Sequence, residues 1–240
     1  MVDLWSVIDE YTFAYQPIVD IEQKVVASFE ALVRGPENQS AMWVLNQLDG
    51  DELLAFDSEA RRRALKLATE LGLSCHINLN MLPDGIQQNI DALDATIEMA
   101  RQCGLAPEQL VLEVSETETI EKYDLFVDRI NRWRAIGVKF AIDDFGSGYS
   151  GLNLLAEFQP EAIKLDMALV RDIGHRGPRQ AVIRGVIRTC EDLGIDIVAE
   201  GVETVQEAEW LHNEGIVLFQ GYLFAKPGFR HLPEVTYPEF

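Results

Sequence analysis

The sequence predicts a modified (β/α)8 barrel of TIM type, with the first strand antiparallel to the others. Three observations predict it. Eight apolar, β-rich runs recur along the chain, and helical patterns fill most of the intervals between them. One interval, between the first two runs, is too short for a parallel crossover. Seven of the runs, all but the first, also carry a polar residue at or near the carboxyl end, where barrel enzymes keep their chemistry.

The runs, in order, are FAYQPIV (13–19), VVASFEAL (25–32), CHINL (75–79), LVLEVS (110–115), VKFAID (138–143), AIKLD (162–166), IDIVAE (195–200) and IVLFQ (216–220). Helical patterns cover 58–71, 87–103 (ending at Gly104), 121–136 (ending at Gly137), 179–193 (after Pro178, ending at Gly194) and 204–214. The last opens with Thr204 and Glu207 at capping-box spacing and ends at Gly215. Only residues 20–24 separate the first two strands, so these two pair antiparallel. An open doubly wound sheet fits less well, because no glycine-rich phosphate loop follows an early strand. There is no low-complexity linker and no internal repeat, so 1–240 reads as a single domain with a core of about 13–227.

With 48% hydrophobic and 25% charged residues, the composition is that of a globular chain able to bury one large core. No apolar stretch approaches the roughly 18 residues of a membrane span, so direct membrane insertion is not expected. The opening MVDLWSVIDE is acidic and lacks a signal-peptide pattern, and the expected location is the cytoplasm. Cys75, Cys103 and Cys190 are too few and too scattered for a disulfide framework or a zinc knuckle, and read as reduced thiols. The formal net charge of −20 excludes a nucleic-acid polymer as partner. The one basic run, Arg61-Arg62-Arg63, reads as a solvated helix face. A small anion remains possible if metal ions invert the local field.

The strand-end residues point to such ions. They are Glu30, Asn78, Glu113, Asp143 with Asp144, Lys164, Glu200 and Gln220. If the sheet closes, all converge on one mouth. Five are acids, and unneutralised they would raise one another's pKa values or force the strands apart. Two divalent cations and Lys164 balance them: −5 + 4 + 1 = 0. Oxygen donors without clustered His or Cys favour Mg²⁺ or Mn²⁺ over Zn²⁺, and Asn78 can add a neutral carbonyl oxygen. Neighbours in a strand face opposite sides, so Asp143 is expected to face inward and Asp144 to be swung back by Gly146 and Gly148. Asp143 then bridges two metals about 3.5–4 Å apart, as in two-metal phosphoester enzymes. His76 points inward two residues before Asn78 and reads as a packed core histidine. Trp43, Trp133 and Trp210 read as core or interface residues.

These residues lie in blocks that resemble the EAL-domain cyclic di-GMP phosphodiesterases: YQPIVD (15–20), EALVR (30–34), INLN (77–80), LEVSE (112–116), AIDDFGSGYS (141–150), IKLD (163–166), VAEGVE (198–203) and QGYLFAKP (220–227). The resemblance implies hydrolysis of bis-(3′,5′)-cyclic di-GMP to linear pGpG. It implies one metal on Glu30, Asn78, Glu113 and Asp143, and a second on Asp143, Asp144 and Glu200. Lys164 would hold the attacking water and Glu200 would help deprotonate it. Arg34 would grip a substrate phosphate, Gln16 and Leu32 would line the substrate pocket, and Gln220 would support site or substrate. Glu116 would organise the FGSGYS loop and couple it to a second subunit, since family members commonly dimerise near it; from the residues alone it is equally a helix N-terminal charge. An attached sensory domain or regulatory partner is a further implied partner.

Two departures stand out: Gly35-Pro36 where an aromatic often follows EALxR, and Gly151 where serine is commoner. Neither touches an expected ligand. Two other functions compete with an active phosphodiesterase: a non-catalytic receptor module on the same fold, and a metal-dependent enzyme for another phosphate ester.

Overall fold

The computed structural model describes residues 11–82, 91–116, 123–148 and 151–239. The opening decapeptide, the first residues of the helices expected at 87–103 and 121–136, and Tyr149-Ser150 of the FGSGYS loop lie outside the described residues. Strand β1 (Thr12–Asp20) is followed by β2 (Val25–Arg34), and the two pair antiparallel from Thr12↔Arg34 to Asp20↔Val25. The tight connection is held by the Asp20 carboxylate, whose Oδ1 accepts from Glu22 N at 3.0 Å and Gln23 N at 2.8 Å. Helices α1 (Ala41–Leu45) and α2 (Gly50–Glu70) lead to β3 (His76–Asn80), and α3 (Asp91–Gln102) leads to β4 (Leu110–Ser115). Next come α4 (Tyr123–Arg134), β5 (Lys139–Phe145), α5 (Gly151–Phe158), β6 (Ala162–Leu165), α6 (Met167–Val170) and α7 (Gly177–Leu193). The chain ends with β7 (Asp196–Ala199), α8 (Val205–Asn213), β8 (Leu218–Phe219) and β9 (Gly228–Phe229).

Strands β2 to β8 run parallel in chain order, and β1 closes the barrel by pairing antiparallel with both β8 and β2. The predicted fold is therefore the observed one. The addition is β9, which extends the β1 edge at Ala14 and Tyr15, past the short β8. Side chains alternate inward and outward along each strand. Outward Phe140 meets Phe158 of α5 edge-on, and outward Tyr15 donates its hydroxyl to Ala64 O of α2 at 2.7 Å. The Thr204–Glu207 capping box forms as predicted.

Helices α1, α5 and α6 are absent from the sequence reading. Each is eight residues or shorter, too brief to show a helical period. Helix α2 starts eight residues earlier than expected, at Gly50. The basic run also differs from expectation. Arg61 is only 4% exposed and turns inward onto Asp57, leaving Arg62 and Arg63 to pair with Glu59 on the outer face. Among the described residues, no helix is long and apolar enough to cross a membrane.

Candidate functional site

The register brings the strand-end residues to one level. Glu30 lies opposite Asn78, Asn80 opposite Glu113, and Ser115 opposite Asp143. Lys164 stands at the centre, 1% exposed. Its Nζ lies 3.2 Å from Glu30 Oε2, 2.9 Å from Glu113 Oε2, 2.9 Å from Asp143 Oδ1 and 2.7 Å from Glu200 Oε1. An ammonium has three protons. Four oxygens cannot all be served, and Asp143 Oδ1, though in ion-pair range, has no aligned hydrogen-bond donor.

The electrostatics follow from burial and crowding. Burial raises the Glu113 carboxyl well above its usual range, with Glu30 and Asp143 adding to the shift against Lys164. Glu200 is pushed up to about 8, first by burial and then, against Lys164, by Asp143 and Glu30. Asp144 rises to about 6 through burial, Asp143 and Asp166. Lys164 is held well above the usual lysine range, because burial is outweighed by Asp143, Glu113, Glu200 and Glu30. Five carboxylates face one ammonium, so the fully ionised cluster carries −5 + 1 = −4.

The acids fall into two groups of three, Glu30–Glu113–Asp143 and Asp143–Asp144–Glu200. In each, one oxygen per residue lies within 4.8 Å of the others, and Asp143 belongs to both. Asp144 reaches the mouth because its own backbone is left-handed, at φ +54°. The β5–β6 register shifts between Ile142 and Phe145, so both carboxylates of the pair reach the mouth. From the sequence, this swing is expected of Gly146 and Gly148. Gly146 is left-handed, at φ +96°, but the decisive angle belongs to the aspartate. Asp and Asn tolerate that conformation better than most residues.

Two acceptors mark where a cation fits. Asn78 donates its Nδ2 to Glu113 Oε1 at 2.7 Å, leaving a buried Oδ1 with no donor. Asp143 Oδ1 is the other. Buried oxygens without donors are costly, and a hard cation is the partner that oxygen sets of this kind accept.

The remaining candidates lie around this centre. Gln220, 4% exposed, donates to Glu30 Oε2 at 2.8 Å. Glu116 Oε2 accepts from Gly146 N at 2.6 Å and Gly148 N at 3.3 Å, fastening the loop after β5. Arg34 stands at the rim of β2, its Nη1 donating to Val33 O at 2.8 Å; burial lowers its pKa against the pull of Glu30. Gln16 sits opposite Glu30, but its amide donates to Ala225 O at 3.3 Å. Leu32 lines a cavity of about 430 Å³ between β1–β3 and helices α1 and α2, with Asn80 at its wall. His76 stays outside both acid groups, its Nδ1 3.3 Å from Ala27 O. Trp133 is buried and donates to Asp94, Trp210 carries Arg184 over its ring, and Trp43 is exposed. Asn80, which is not among the residues expected at the site, donates to Glu30 Oε1 at 3.3 Å. Its signal was present: it lies two residues after Asn78 and so on the same strand face.

The model of the EAL domain matches residues 7–227. The chain belongs to the EAL-domain family. Among solved EAL structures, it resembles the standalone versatile EAL protein of Vibrio cholerae O395 in its c-di-GMP-bound form. That match has 39% identity and a TM-score of 0.89, and covers 95% of this chain and 97% of that one. BlrP1 of Klebsiella pneumoniae, in a calcium/cy-diGMP complex, matches with 43% identity and a TM-score of 0.89, over 95% of this chain and 58% of that one. Among curated relatives, the antirepressor BluF of Escherichia coli K12 is 36% identical over 95% of this EAL chain. The cyclic di-GMP phosphodiesterase NbdA of Pseudomonas aeruginosa PAO1 is 32% identical over 97% of it. The chain spans 57% of the length of BluF and 30% of that of NbdA.

Proposed function

We propose that this chain is a divalent-metal-dependent phosphodiesterase that hydrolyses cyclic di-GMP to linear pGpG, lowering a bacterial second messenger. The observation that carries the reading is the pair of acid groups sharing Asp143 around Lys164. Similarity to NbdA and to EAL proteins solved with c-di-GMP supports the substrate.

Glu30, Asn78, Glu113 and Asp143 would hold one cation, and Asp143, Asp144 and Glu200 the second; Mg²⁺ and Mn²⁺ suit these oxygens. When bound, two such cations supply charge neutralisation at a phosphodiester and at its attacking and leaving oxygens. The chain's own groups do the rest. Lys164 holds the attacking water with its protons, and Glu200 receives a proton from it. The water oxygen bonds to phosphorus as the bond to the 3′ oxygen breaks, and a proton returns from Glu200, directly or through solvent, to that oxygen, leaving a 5′-phosphate and a free 3′ hydroxyl. Arg34 grips a phosphate through its planar guanidinium. Gln220 steadies Glu30, while Gln16 and Leu32 border the substrate. Glu116 keeps the FGSGYS loop, and with it Asp143 and Asp144, in place.

In this reading residues 1–240 act as one domain in the cytoplasm. Its partners are cyclic di-GMP, a second copy of the chain, and a sensory domain or regulatory protein. The kinship with BluF favours one alternative, an interaction module that regulates a partner protein without turnover.

The deciding experiment is cyclic di-GMP turnover by purified protein in Mg²⁺, Mn²⁺ and EDTA, with chromatography of the product. Metal-dependent pGpG is expected, and Glu30→Ala is expected to lower the rate at least about 100-fold while keeping a cooperative thermal transition. Binding without product in any metal would leave the interaction module standing. Full turnover by Glu30→Ala would remove the metal assignment.

A further inference from the structure

Strand β3 presents two asparagines on one face, and they brace the cluster crosswise. Asn78 stands level with Glu30 on β2, yet donates to Glu113 on β4 at 2.7 Å. Asn80 stands level with Glu113, yet donates to Glu30 Oε1 at 3.3 Å. Each amide thus reaches across to the glutamate two residues along the register, on the same face. Glu30 Oε2 already accepts from Lys164 at 3.2 Å and from Gln220 at 2.8 Å. Those two donors hold one carboxylate oxygen and leave the other, Oε1, to Asn80. With a third donor on Oε1, both ends of the carboxylate are held and its plane is fixed from two sides.

We propose that Asn80 is a positioning residue for Glu30, its amide holding the carboxylate turned into the metal cluster. This rests on the metal-dependent reading of the site. The residue type suits the task. A carboxylate at position 80 would add a sixth negative charge to a cluster already at −4, and an ammonium would compete with the cations for the same oxygens. An amide donates a proton without changing the charge. Groups that orient a metal ligand from behind typically contribute 10–100-fold to metal affinity. The bond here is long and Asn80 is exposed at the mouth, so the lower end of that range is expected.

The test compares the 240-residue protein with Asn80→Ala and Asn80→Gln. Mn²⁺ affinity is measured by calorimetry, kcat and KM for cyclic di-GMP by product formation, and thermal unfolding in EDTA. Asn80→Ala is expected to weaken Mn²⁺ binding about 10-fold. It should lower kcat at limiting metal, while KM for cyclic di-GMP and the unfolding temperature in EDTA stay put. Asn80→Gln keeps the donor on a longer arm at an open position and is expected to recover most of the loss. Unchanged Mn²⁺ affinity in Asn80→Ala overturns the inference. So does a raised KM with unchanged metal affinity, which would make Asn80 a substrate contact. So does equal loss in both variants. If the unsubstituted protein hydrolyses no cyclic di-GMP but Asn80→Ala still weakens Mn²⁺ binding, the substrate reading fails and the positioning role stands. Unsubstituted protein that takes up no Mn²⁺ removes both.

Discussion

Two of the sites that bury charged side chains among the described residues are built on opposite plans. Between α2 and the end of β3, Asp57 pairs with Arg61. Leu82 N donates to Asp57 Oδ1 at 3.2 Å, and Arg61 Nε donates to Thr96 Oγ1 at 3.2 Å. One acid meets one base, each with a neutral second partner, and the site closes on itself. At the barrel mouth, five acids surround one ammonium, four of them within its ion-pair range, and Asp143 Oδ1 and Asn78 Oδ1 lack an aligned donor. The first arrangement joins helices to the barrel and needs nothing further. The second is complete only with added positive charge. Counting charges and unserved oxygens separates a structural ion pair from a binding centre, where burial alone does not.

Substitutions break the comparison in order of expected effect. Lys164→Met removes the ammonium paired with four of the acids, leaving like charges packed together. We expect turnover to be lost and stability in EDTA to fall by about 3–5 kcal/mol, as for other buried networks deprived of one partner. Denaturant unfolding with and without Mn²⁺ checks this, and added metal should restore part of the loss. Equal stability in EDTA would mean that the acids tolerate one another without Lys164. Arg61→Met strands Asp57, and a similar loss of about 3–5 kcal/mol is expected. Here, however, Mn²⁺ affinity and turnover per folded molecule should not change. A weakened Mn²⁺ titration in Arg61→Met would show that the two sites are coupled.

Glu116→Ala acts through the loop, because it frees Gly146 N and Gly148 N. We expect a loss of about 10-fold in turnover together with a higher Mn²⁺ requirement. A wild-type rate and metal dependence would end its organising role. The smallest effect is that of pH. Glu200 and Asp144 are raised to about 8 and about 6, above ordinary carboxylate values, so the folded protein holds protons that the unfolded chain releases. Stability in EDTA should therefore decline as pH rises from about 4 through about 8. Metal displaces those protons, so Mn²⁺ affinity should increase over the same interval. Thermal unfolding and calorimetry across pH 5–8.5 test both signs. A flat Mn²⁺ affinity would mean that the two carboxyls are already ionised.

Much of the fold is legible in the sequence. The short connection before Val25 dictates an antiparallel hairpin, and the alternation of strand and helix patterns dictates the rest. Strand β4 is predicted at its observed limits, 110–115. What escapes is short or depends on distant partners. Helix α5 has only eight residues, of which Leu154, Leu155 and Phe158 are buried. Arg61 looks like its neighbours Arg62 and Arg63 until α3 supplies Thr96 and the chain after β3 supplies Leu82. Asn80 stands in a motif read for Asn78, and its partner Glu30 is 50 residues away.

The sequence by itself determined which residues reach the strand ends, in what order, and that their acids outnumber their bases. Those properties follow from composition and from the period-two alternation of a strand, which each segment carries locally. Only the tertiary structure decided that four acids would meet one ammonium, that Asp143 would belong to both acid groups, and that the two asparagines would cross. Such distances depend on how the barrel closes and how its strands are staggered. Those features arise from all eight strands together, and no single segment encodes them.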